Sequence, residues 1–254
     1  MKDIFDLSGQ VALITGASSG LGVEFAKALA SKGANVALFA RREEKLKEVA
    51  ADIEKMNVKA LPVKCDVTDE AQIENAVSKV IDTFGKIDIL INNAGFCFVK
   101  PTAEMRMEDW NRVMDVNLDG VFLMTKHVAP YMVKQSYGRI INIGSMYGLR
   151  ANTTGAIAHY YASKGAIPQL TRGWAQEYAL NGITVNAIAP GMFPSEIMID
   201  EGTDEFNAFI RQLVPVGRVG RLEELDGLII FLASNACSYV TGQTIPIDGG
   251  KTAI

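Results

Sequence analysis

Three residues in the second half of the chain have side chains that could move a proton to or from a substrate oxygen. Tyr160 and Lys164 lie four positions apart, so on a helix both side chains project from one face. A free tyrosine has a pKa of about 10, too high for acid–base work at neutral pH, but a nearby ammonium group favours the phenolate. Ser145 follows the apolar run Ile140 to Ile143, where its hydroxyl could orient the same oxygen. Each pattern alone occurs by chance, whereas together they indicate acid–base chemistry on an alcohol or carbonyl.

A glycine-rich turn near the amino terminus has the composition of a phosphate site. The apolar run VALI leads into TGASSGLG, in which Gly16, Gly20 and Gly22 have the spacing G-x3-G-x-G, and a helix follows. Glycine permits positive φ and close approach of backbone amides to a ligand, and a helix N-terminus attracts negative charge. Ser18 and Ser19 add hydroxyl donors. The alternative is a tight turn without a ligand, but the strand–turn–helix context favours dinucleotide binding.

The residues after the second predicted strand bear on which dinucleotide binds. In dinucleotide-binding folds a carboxylate at this point accepts hydrogen bonds from the adenosine ribose, whereas an arginine suits a 2′-phosphate. Here the strand VALFA is followed by Arg41 and Arg42, and the first carboxylates, Glu43 and Glu44, belong to the next helix. Cations at a helix N-terminus are electrostatically unfavourable, which argues against a merely solvated pair. We therefore predict NADP as the cofactor, with NAD as the alternative.

Strand-like and helical segments alternate along the whole chain. Helices are predicted near 21–32, 43–56, 73–84, 109–134, 160–180 and 222–233. The seven predicted strands are short, apolar and mostly β-branched: Val11 to Ile14, Val36 to Ala40, Lys59 to Lys64, Ile87 to Ile91, Ile140 to Ile143, Ile183 to Ile188 and Gln243 to Ile247. This alternation predicts an α/β fold with a single doubly wound, Rossmann-like parallel sheet, helices on both faces and one domain over 1–254. Ligands of such folds bind beyond the carboxyl ends of the strands, where the three motifs above lie.

The composition excludes several classes of protein. The 254 residues include 25 Lys and Arg against 29 Asp and Glu, a formal net charge of −4, which argues against a nucleic-acid binder. No run approaches the ~18 apolar residues of a membrane span, and the start MKDIFDLSGQ does not have the pattern of a secretory signal. The three cysteines are widely spaced, which fits a reducing compartment and not a structural zinc site. We expect a cytoplasmic protein without metal, membrane or nucleic-acid partners.

Eight segments, in this order, resemble the short-chain dehydrogenase/reductase family over essentially the whole chain. They are TGASSGLG at 15–22, CDVTD at 65–69, NNAG at 92–95, MDVNLDG at 114–120, INIGS at 141–145, YYASKGA at 160–166, VNAIAPG at 185–191 and VTGQTIPIDGG at 240–250. The resemblance implies an oxidoreductase that transfers a hydride between a nicotinamide cofactor and a secondary alcohol or ketone. It also implies a homotetramer.

The family's functional residues carry over to matching positions of this sequence. The resemblance implies that Tyr160 is the acid–base, that Lys164 lowers its pKa and holds the nicotinamide ribose, that Ser145 binds the reacting oxygen, and that Asn117 supports a proton-relay water. Beyond Tyr160 and Lys164, the cofactor would contact the glycine loop, the arginine pair and four further positions: Gly16, Ser18, Ser19, Gly20, Leu21, Gly22, Arg41, Arg42, Asp66, Val67, Asn93 and Ser195. Pro168 departs from the family pattern, which has an ordinary residue at this position. Proline has no amide hydrogen to bond the carbonyl of Lys164, four residues earlier, so a kink in the helix is predicted.

The substrate is less constrained than the reaction. Residues 146–158 and 192–214 follow strand-end motifs and are expected to determine substrate specificity. Within the first segment, Arg150 would bind an anionic group of the substrate; the alternative is a solvated loop arginine. A sugar acid or keto acid is one expectation, and a 3-ketoacyl-carrier or cyclic, steroid-like ketone is the alternative. A non-catalytic dinucleotide sensor is disfavoured because Tyr160 and Lys164 are both present. A nucleotide-sugar epimerase would need a larger substrate domain.

Overall fold

A seven-stranded parallel sheet forms the centre of the molecule. The computed structural model describes residues 3–151, 155–194 and 203–253. The strands are β1 Val11–Thr15, β2 Asn35–Ala40, β3 Ala60–Lys64, β4 Ile89–Asn92, β5 Gly138–Ile143, β6 Ile183–Pro190 and β7 Thr244–Ile247. Their order across the sheet is β3-β2-β1-β4-β5-β6-β7. The predicted doubly wound, Rossmann-like fold is therefore confirmed, and each strand overlaps its predicted segment.

The strand order places a crevice between β1 and β4. From β1 the chain builds outward through β2 and β3, then returns so that β4 pairs with the other side of β1, in the register Ala12↔Ile89. Loops leaving β1 and β4 therefore diverge to opposite faces of the sheet, which opens the space that ligands occupy in such folds. The glycine loop follows β1, and Asn93 follows β4.

Helices cover both faces of the sheet. They are α1 Gly20–Ser31, α2 Glu43–Glu54, α3 Glu70–Phe84, α4 Met107–Met114, α5 Gly120–Gln135, α6 Ala158–Tyr178, α7 Asp204–Leu213 and α8 Asp226–Ala233. Helices α1, α2 and α8 pack on one face around Phe25 and Ile229, and α3, α5 and α6 pack on the other around Val77 and Ile167. Because both faces are covered, β5 and β6 are buried along their whole length. Within the described residues, no helix is long and apolar enough to cross a bilayer.

Two helical segments differ from the sequence-based expectation. The helix predicted over 109–134 is divided by a π-helical turn, Asp115–Asp119, which separates α4 from α5. Single π turns inside helices are frequent at functional sites, and this one carries Asn117. The second difference is α7, which is absent from the predicted helices. Its signals are nonetheless local: Thr203 accepts a capping hydrogen bond from the Phe206 amide at 3.2 Å, and apolar residues recur with helical spacing up to Ile210.

Pro168 lies inside α6, and the helix continues through it. Because proline has no amide hydrogen, the carbonyl of Lys164 has no i+4 donor. A neighbouring 3-10 turn, Met146–Gly148, packs against this carbonyl: a Cβ added to Gly148 would lie 2.3 Å from the Lys164 oxygen. Only glycine allows this approach, so Pro168 and Gly148 together set how closely the chain after Ser145 meets the helix that carries Lys164.

An acidic pair joins α1 to α8. The side chains of Asp226 and Glu24 are hydrogen-bonded, and burial followed by the charge of Glu24 raises the pKa of Asp226 from 3.8 to about 6. A hydrogen bond between two carboxyl groups needs one of them protonated. The contact between these helices is therefore stronger in mildly acidic solution than at neutral pH.

Candidate active site

The glycine loop between β1 and α1 has the form of an anion cradle. Gly16 and Gly20 have φ values of +67° and +56°, which side chains disfavour. A Cβ on Gly22 would lie 2.4 Å from the Gly16 carbonyl oxygen, so α1 packs against the loop only because this position is glycine. Ser19 is the N-cap of α1, and within the described residues its side chain makes no capping hydrogen bond. The first amides of α1, beginning with that of Leu21, therefore remain available to an anion.

The two arginines after β2 have different surroundings. Arg42 reaches back to the glycine loop, where its Nε donates to Ser18 Oγ at 3.1 Å and its Nη2 donates to Ser19 Oγ at 2.5 Å. Arg41 points along the sheet edge, and its Nη1 lies 3.9 Å from Asp66 Oδ2; three quarters of its side chain is exposed. Arg42 therefore holds the serines of the glycine loop, whereas Arg41 lies beside the turn after β3.

Asp66, Val67 and Asn93, which the sequence predicts as cofactor contacts, follow the carboxyl ends of β3 and β4. The Asp66 carboxylate accepts hydrogen bonds from the amide and the hydroxyl of Thr68, at 3.1 and 2.9 Å, which fixes the turn after β3. Val67 is buried against Gly120. Asn93 donates from Nδ2 to the Thr15 carbonyl at 2.9 Å. The Asn93 side chain thus braces the ends of β1 and β4 against each other as well as standing at the crevice.

Ser145, Tyr160, Lys164 and Asn117 come together at the carboxyl ends of β4 and β5. The hydroxyls of Tyr160 and Ser145 are hydrogen-bonded to each other. Lys164 donates from Nζ to the Ile143 carbonyl at 2.7 Å, and its Nζ lies 6.0 Å from the centroid of the Tyr160 ring. A Cβ added to the intervening glycine at position 95 would touch both Asn117 Oδ1 and Lys164 Nζ, at 3.2 and 3.4 Å. The four residues therefore surround one small space.

Burial dominates the protonation of the two central groups. It raises the pKa of Tyr160 to about 12, and the hydrogen bond from Ser145 acts in the opposite direction. Burial also lowers the pKa of Lys164 to about 8. The net shift of the Tyr160 pKa is upward because desolvation of the phenolate is its largest cause, and the role of Lys164 in lowering that pKa stays a prediction. Tyr160 is protonated at neutral pH and is placed to donate a proton.

Asn117 positions a segment that the sequence did not single out. Its Oδ1 accepts the Phe96 amide hydrogen and its Nδ2 donates to the Phe96 carbonyl, both at 3.0 Å. This clamp holds the loop after β4 against the π turn. The loop is further fixed to the approach to α6 by a 2.7 Å hydrogen bond from the Lys100 amide to the Ala156 carbonyl. The contact between Asn117 and Phe96 was missed because no local pattern in the sequence marks it.

The neighbours of Tyr160 in sequence do not share its place. Tyr161 packs edge-on against Tyr147, with ring centroids 5.8 Å apart. His159 is fully buried against Phe98, with centroids 4.6 Å apart, and burial lowers its pKa. Both arrangements agree with the view that Tyr161 and His159 are packing residues.

The two segments expected to choose the substrate are only partly described. Ser195 lies outside the described residues. Met192 and Phe193, just before it, line a cavity of about 440 Å³ at the carboxyl ends of β6 and β7, whose other wall includes Val214 and Val216. Arg150 is exposed at the end of the turn that carries Tyr147. Apolar and charged side chains both line this cavity, the charged ones being Arg218, Glu224 and Asp248.

Comparison with known proteins gives the class to which this fold and site belong. The family model described as enoyl-(acyl carrier protein) reductase matches residues 16–252. The chain belongs to the short-chain dehydrogenase/reductase family, whose members are oxidoreductases.

Particular relatives have different substrates in their names. The 3-oxoacyl-[acyl-carrier-protein] reductase of Thermotoga maritima is 41% identical over 96% of this chain and 98% of its own. A short-chain type dehydrogenase/reductase from Mycobacterium marinum is 42% identical, with a TM-score of 0.94 over 99% of both chains. A gluconate 5-dehydrogenase from Burkholderia cenocepacia, solved with NADP and tartrate, is 38% identical, with a TM-score of 0.93 over 99% of this chain and 98% of its own.

Proposed function

We propose that this chain is an NADP-preferring oxidoreductase that transfers a hydride between the nicotinamide and a secondary alcohol or ketone. The observation that carries the proposal is the joint placement of the Tyr160–Ser145 hydrogen bond and buried Lys164 at the strand ends beside an intact glycine cradle. A dinucleotide fits this cradle, since the close contacts of Gly16 and Gly22 leave backbone, not side chains, facing the anion site. The whole chain, 1–254, would act as one dinucleotide-binding and catalytic domain.

The assignment of NADP rests on the arginines. Arg42 and Arg41 place two guanidinium groups at the position where an acidic residue would mark NAD, and guanidinium suits a phosphate. The gluconate 5-dehydrogenase relative, solved with NADP, supports the same choice. The pyrophosphate would meet Gly16, Ser18, Ser19, Gly20, Leu21 and Gly22, with Asp66, Val67, Asn93 and Ser195 as further cofactor contacts.

The protein residues have distinct roles in the reaction. When bound, NADPH supplies the hydride that reaches the carbonyl carbon. Ser145 orients the substrate oxygen through its hydroxyl, and Tyr160 gives that oxygen its phenolic proton, so that a ketone becomes an alcohol. Lys164 would hold the nicotinamide ribose and replenish the proton together with a water near Asn117. Alcohol oxidation reverses each step.

One experiment tests this function. A panel of ketones, keto acids and sugar acids, with the corresponding alcohols, is assayed with NADP(H) and with NAD(H) by nicotinamide absorbance. Tyr160→Phe, which keeps the ring and removes the proton, should lose turnover by about a hundredfold or more while NADPH binding, measured by fluorescence, stays near wild type. Turnover of the variant at the wild-type rate would defeat the proposed mechanism.

We also propose that the protein acts as a homotetramer in the cytoplasm. Large apolar side chains lie exposed on several elements, including Met107, Phe122, Leu180 and Tyr239. Exposed apolar side chains of this size can be covered by another subunit in an oligomer. The three cysteines, at 65, 97 and 237, are all free thiols, which fits a reducing compartment. Sedimentation equilibrium of the wild-type protein tests the assembly.

A further inference from the structure

Ser163 is a fully buried serine on α6, one position before Lys164. Its Oγ donates to the Tyr160 carbonyl, three residues earlier on the helix, at 3.0 Å. Because a hydroxyl has one hydrogen and a carbonyl oxygen can only accept, this bond uses the Ser163 hydrogen and leaves the lone pairs of Oγ to accept. Ser163 therefore presents an acceptor to the segment that contacts this side of α6.

That segment is the π-helical turn Asp115–Asp119, which contacts Ser163 through the side chain of Asn117. Asn117 Nδ2 donates to Ser163 Oγ at 3.3 Å and to the Phe96 carbonyl at 3.0 Å, while Oδ1 accepts the Phe96 amide hydrogen. Asn117 is fully buried as well, so loss of the serine hydroxyl would leave an Nδ2 hydrogen without a partner away from solvent. Ser163 thus completes the hydrogen bonding of the Asn117 amide.

A chain of hydrogen bonds therefore runs from the loop after β4 through the π turn to the first turn of α6. Its members are Phe96, Asn117, Ser163 and the backbone of Tyr160. The π turn and α6 also come close at Gly95, where an added Cβ would lie 3.2 Å from Asn117 Oδ1 and 3.4 Å from Lys164 Nζ. At such distances, a small shift of the π turn relative to α6 changes the geometry of the groups that handle the proton.

We propose that Ser163 is a positioning residue of the active site: through Asn117 it holds the π turn in place against the first turn of α6. It thereby keeps Asn117 where it can support the return of a proton to Tyr160. Because Ser163 is 0% exposed, it acts without contact to substrate or cofactor. The inference rests on the proposed function and adds a residue to its proton-transfer machinery.

Ser163→Ala breaks both links, because one hydroxyl is the donor to Tyr160 and the acceptor from Asn117. In this variant kcat for ketone reduction should fall by about fivefold, equivalent to ~1 kcal/mol, while KM for the ketone and Kd for NADPH stay unchanged. Ser31→Ala is the matched control, because Ser31 Oγ makes the same kind of bond on α1, to the Ala28 carbonyl three residues earlier at 2.7 Å. It should leave kcat unchanged. An unchanged kcat in Ser163→Ala would overturn the inference.

The solvent isotope effect separates positioning from folding. Because the loss of Ser163 should slow proton transfer, the ratio of kcat in H2O to kcat in D2O should be larger for Ser163→Ala than for wild type. A merely structural serine would change the fraction of folded protein, so kcat would fall while this ratio stayed the same; that result would contradict the assignment. Ser163→Cys, which has a similar shape and makes weaker hydrogen bonds, takes the place of the alanine variant if the latter does not fold.

A double-mutant cycle tests whether Ser163 acts through Asn117. In an Asn117→Ala background, Ser163→Ala should lower kcat by less than about twofold, since the partner of its hydroxyl is already gone. The same fold-loss in both backgrounds would show that the two residues act independently and would overturn the inference, leaving the proposed function intact. Absence of turnover by the wild-type protein on every ketone and alcohol of the panel would overturn the proposed function itself.

Discussion

The unequal surroundings of Arg41 and Arg42 predict that removing each has a different effect on the two cofactors. Arg41 is largely exposed, and among the described residues its ion pair is with Asp66 at 3.9 Å, so under the proposed function it would contribute to binding the 2′-phosphate that NADPH carries and NADH does not. Arg42 would meet the same phosphate, but it also holds Ser18 and Ser19 of the glycine loop, which both cofactors use.

The magnitudes follow from these contacts. A hydrogen-bonded charge pair contributes about 1.5–3 kcal/mol, and the exposure of Arg41 reduces this to about 1–2 kcal/mol. Arg41→Ala should therefore lower kcat/KM for NADPH by about 5–30-fold and leave NADH unchanged. Arg42→Ala loses the phosphate contact and two serine hydrogen bonds of about 1 kcal/mol each. Because the serine hydrogen bonds serve both cofactors, kcat/KM for NADH should fall by about 5–30-fold, and kcat/KM for NADPH should fall by more.

The assay measures initial rates against cofactor concentration at saturating ketone, for wild type and both variants with both cofactors. Lys47→Ala is the matched control, because it removes a cation of α2 whose partners are Glu43 and Glu44. It should leave both cofactors unaffected. Two results would refute the division of roles. One is an equal loss of kcat/KM for NADPH and NADH in Arg41→Ala, and the other is an unchanged kcat/KM for NADH in Arg42→Ala.

Three further outcomes follow from the structure. Because the pKa of Tyr160 is raised to about 12, ketone reduction should hold its rate up to alkaline pH, whereas alcohol oxidation should accelerate with pH; a parallel fall of both would contradict this. Asp226 has its pKa raised from 3.8 to about 6, so the stability gained from its protonated form is complete below pH 3.8 and lost as the pH rises through 6. Asp226→Asn should therefore increase the free energy of unfolding in urea at pH 8 by about 1–2 kcal/mol, after allowance for solvent screening, and change it little at pH 4. Gly148→Ala should lower kcat by about tenfold or more, since its Cβ would press on the Lys164 carbonyl. Gly173→Ala is the control: it lies on the same helix as Lys164, its added Cβ would meet nothing within 4 Å, and it should leave kcat unchanged. Normal activity of Gly148→Ala would show that this contact does not position the site.

Local signals explain why so much of the fold could be predicted. Each predicted strand is a short apolar run, and the stripe from Ile73 to Val80 is buried as its helical spacing indicates. The missed helix α7 begins at Thr203 with a capping residue and two acidic residues, signals that are visible in the sequence. The π turn at Asn117 could not be seen, because it depends on tertiary contacts, here those of the Asn117 side chain with the Phe96 backbone.

The sequence by itself determined the order of elements, the class of reaction and the residues of the glycine loop and the Tyr160–Lys164 pair, because those motifs are contiguous and their chemistry depends on local spacing. Only the tertiary structure decided which distant residues contact these motifs. It joined Arg42 to the glycine loop and fixed the loop after β4 to Asn117. It also buried Tyr160, and desolvation, which depends on every segment that packs around a group, raises the pKa of its hydroxyl.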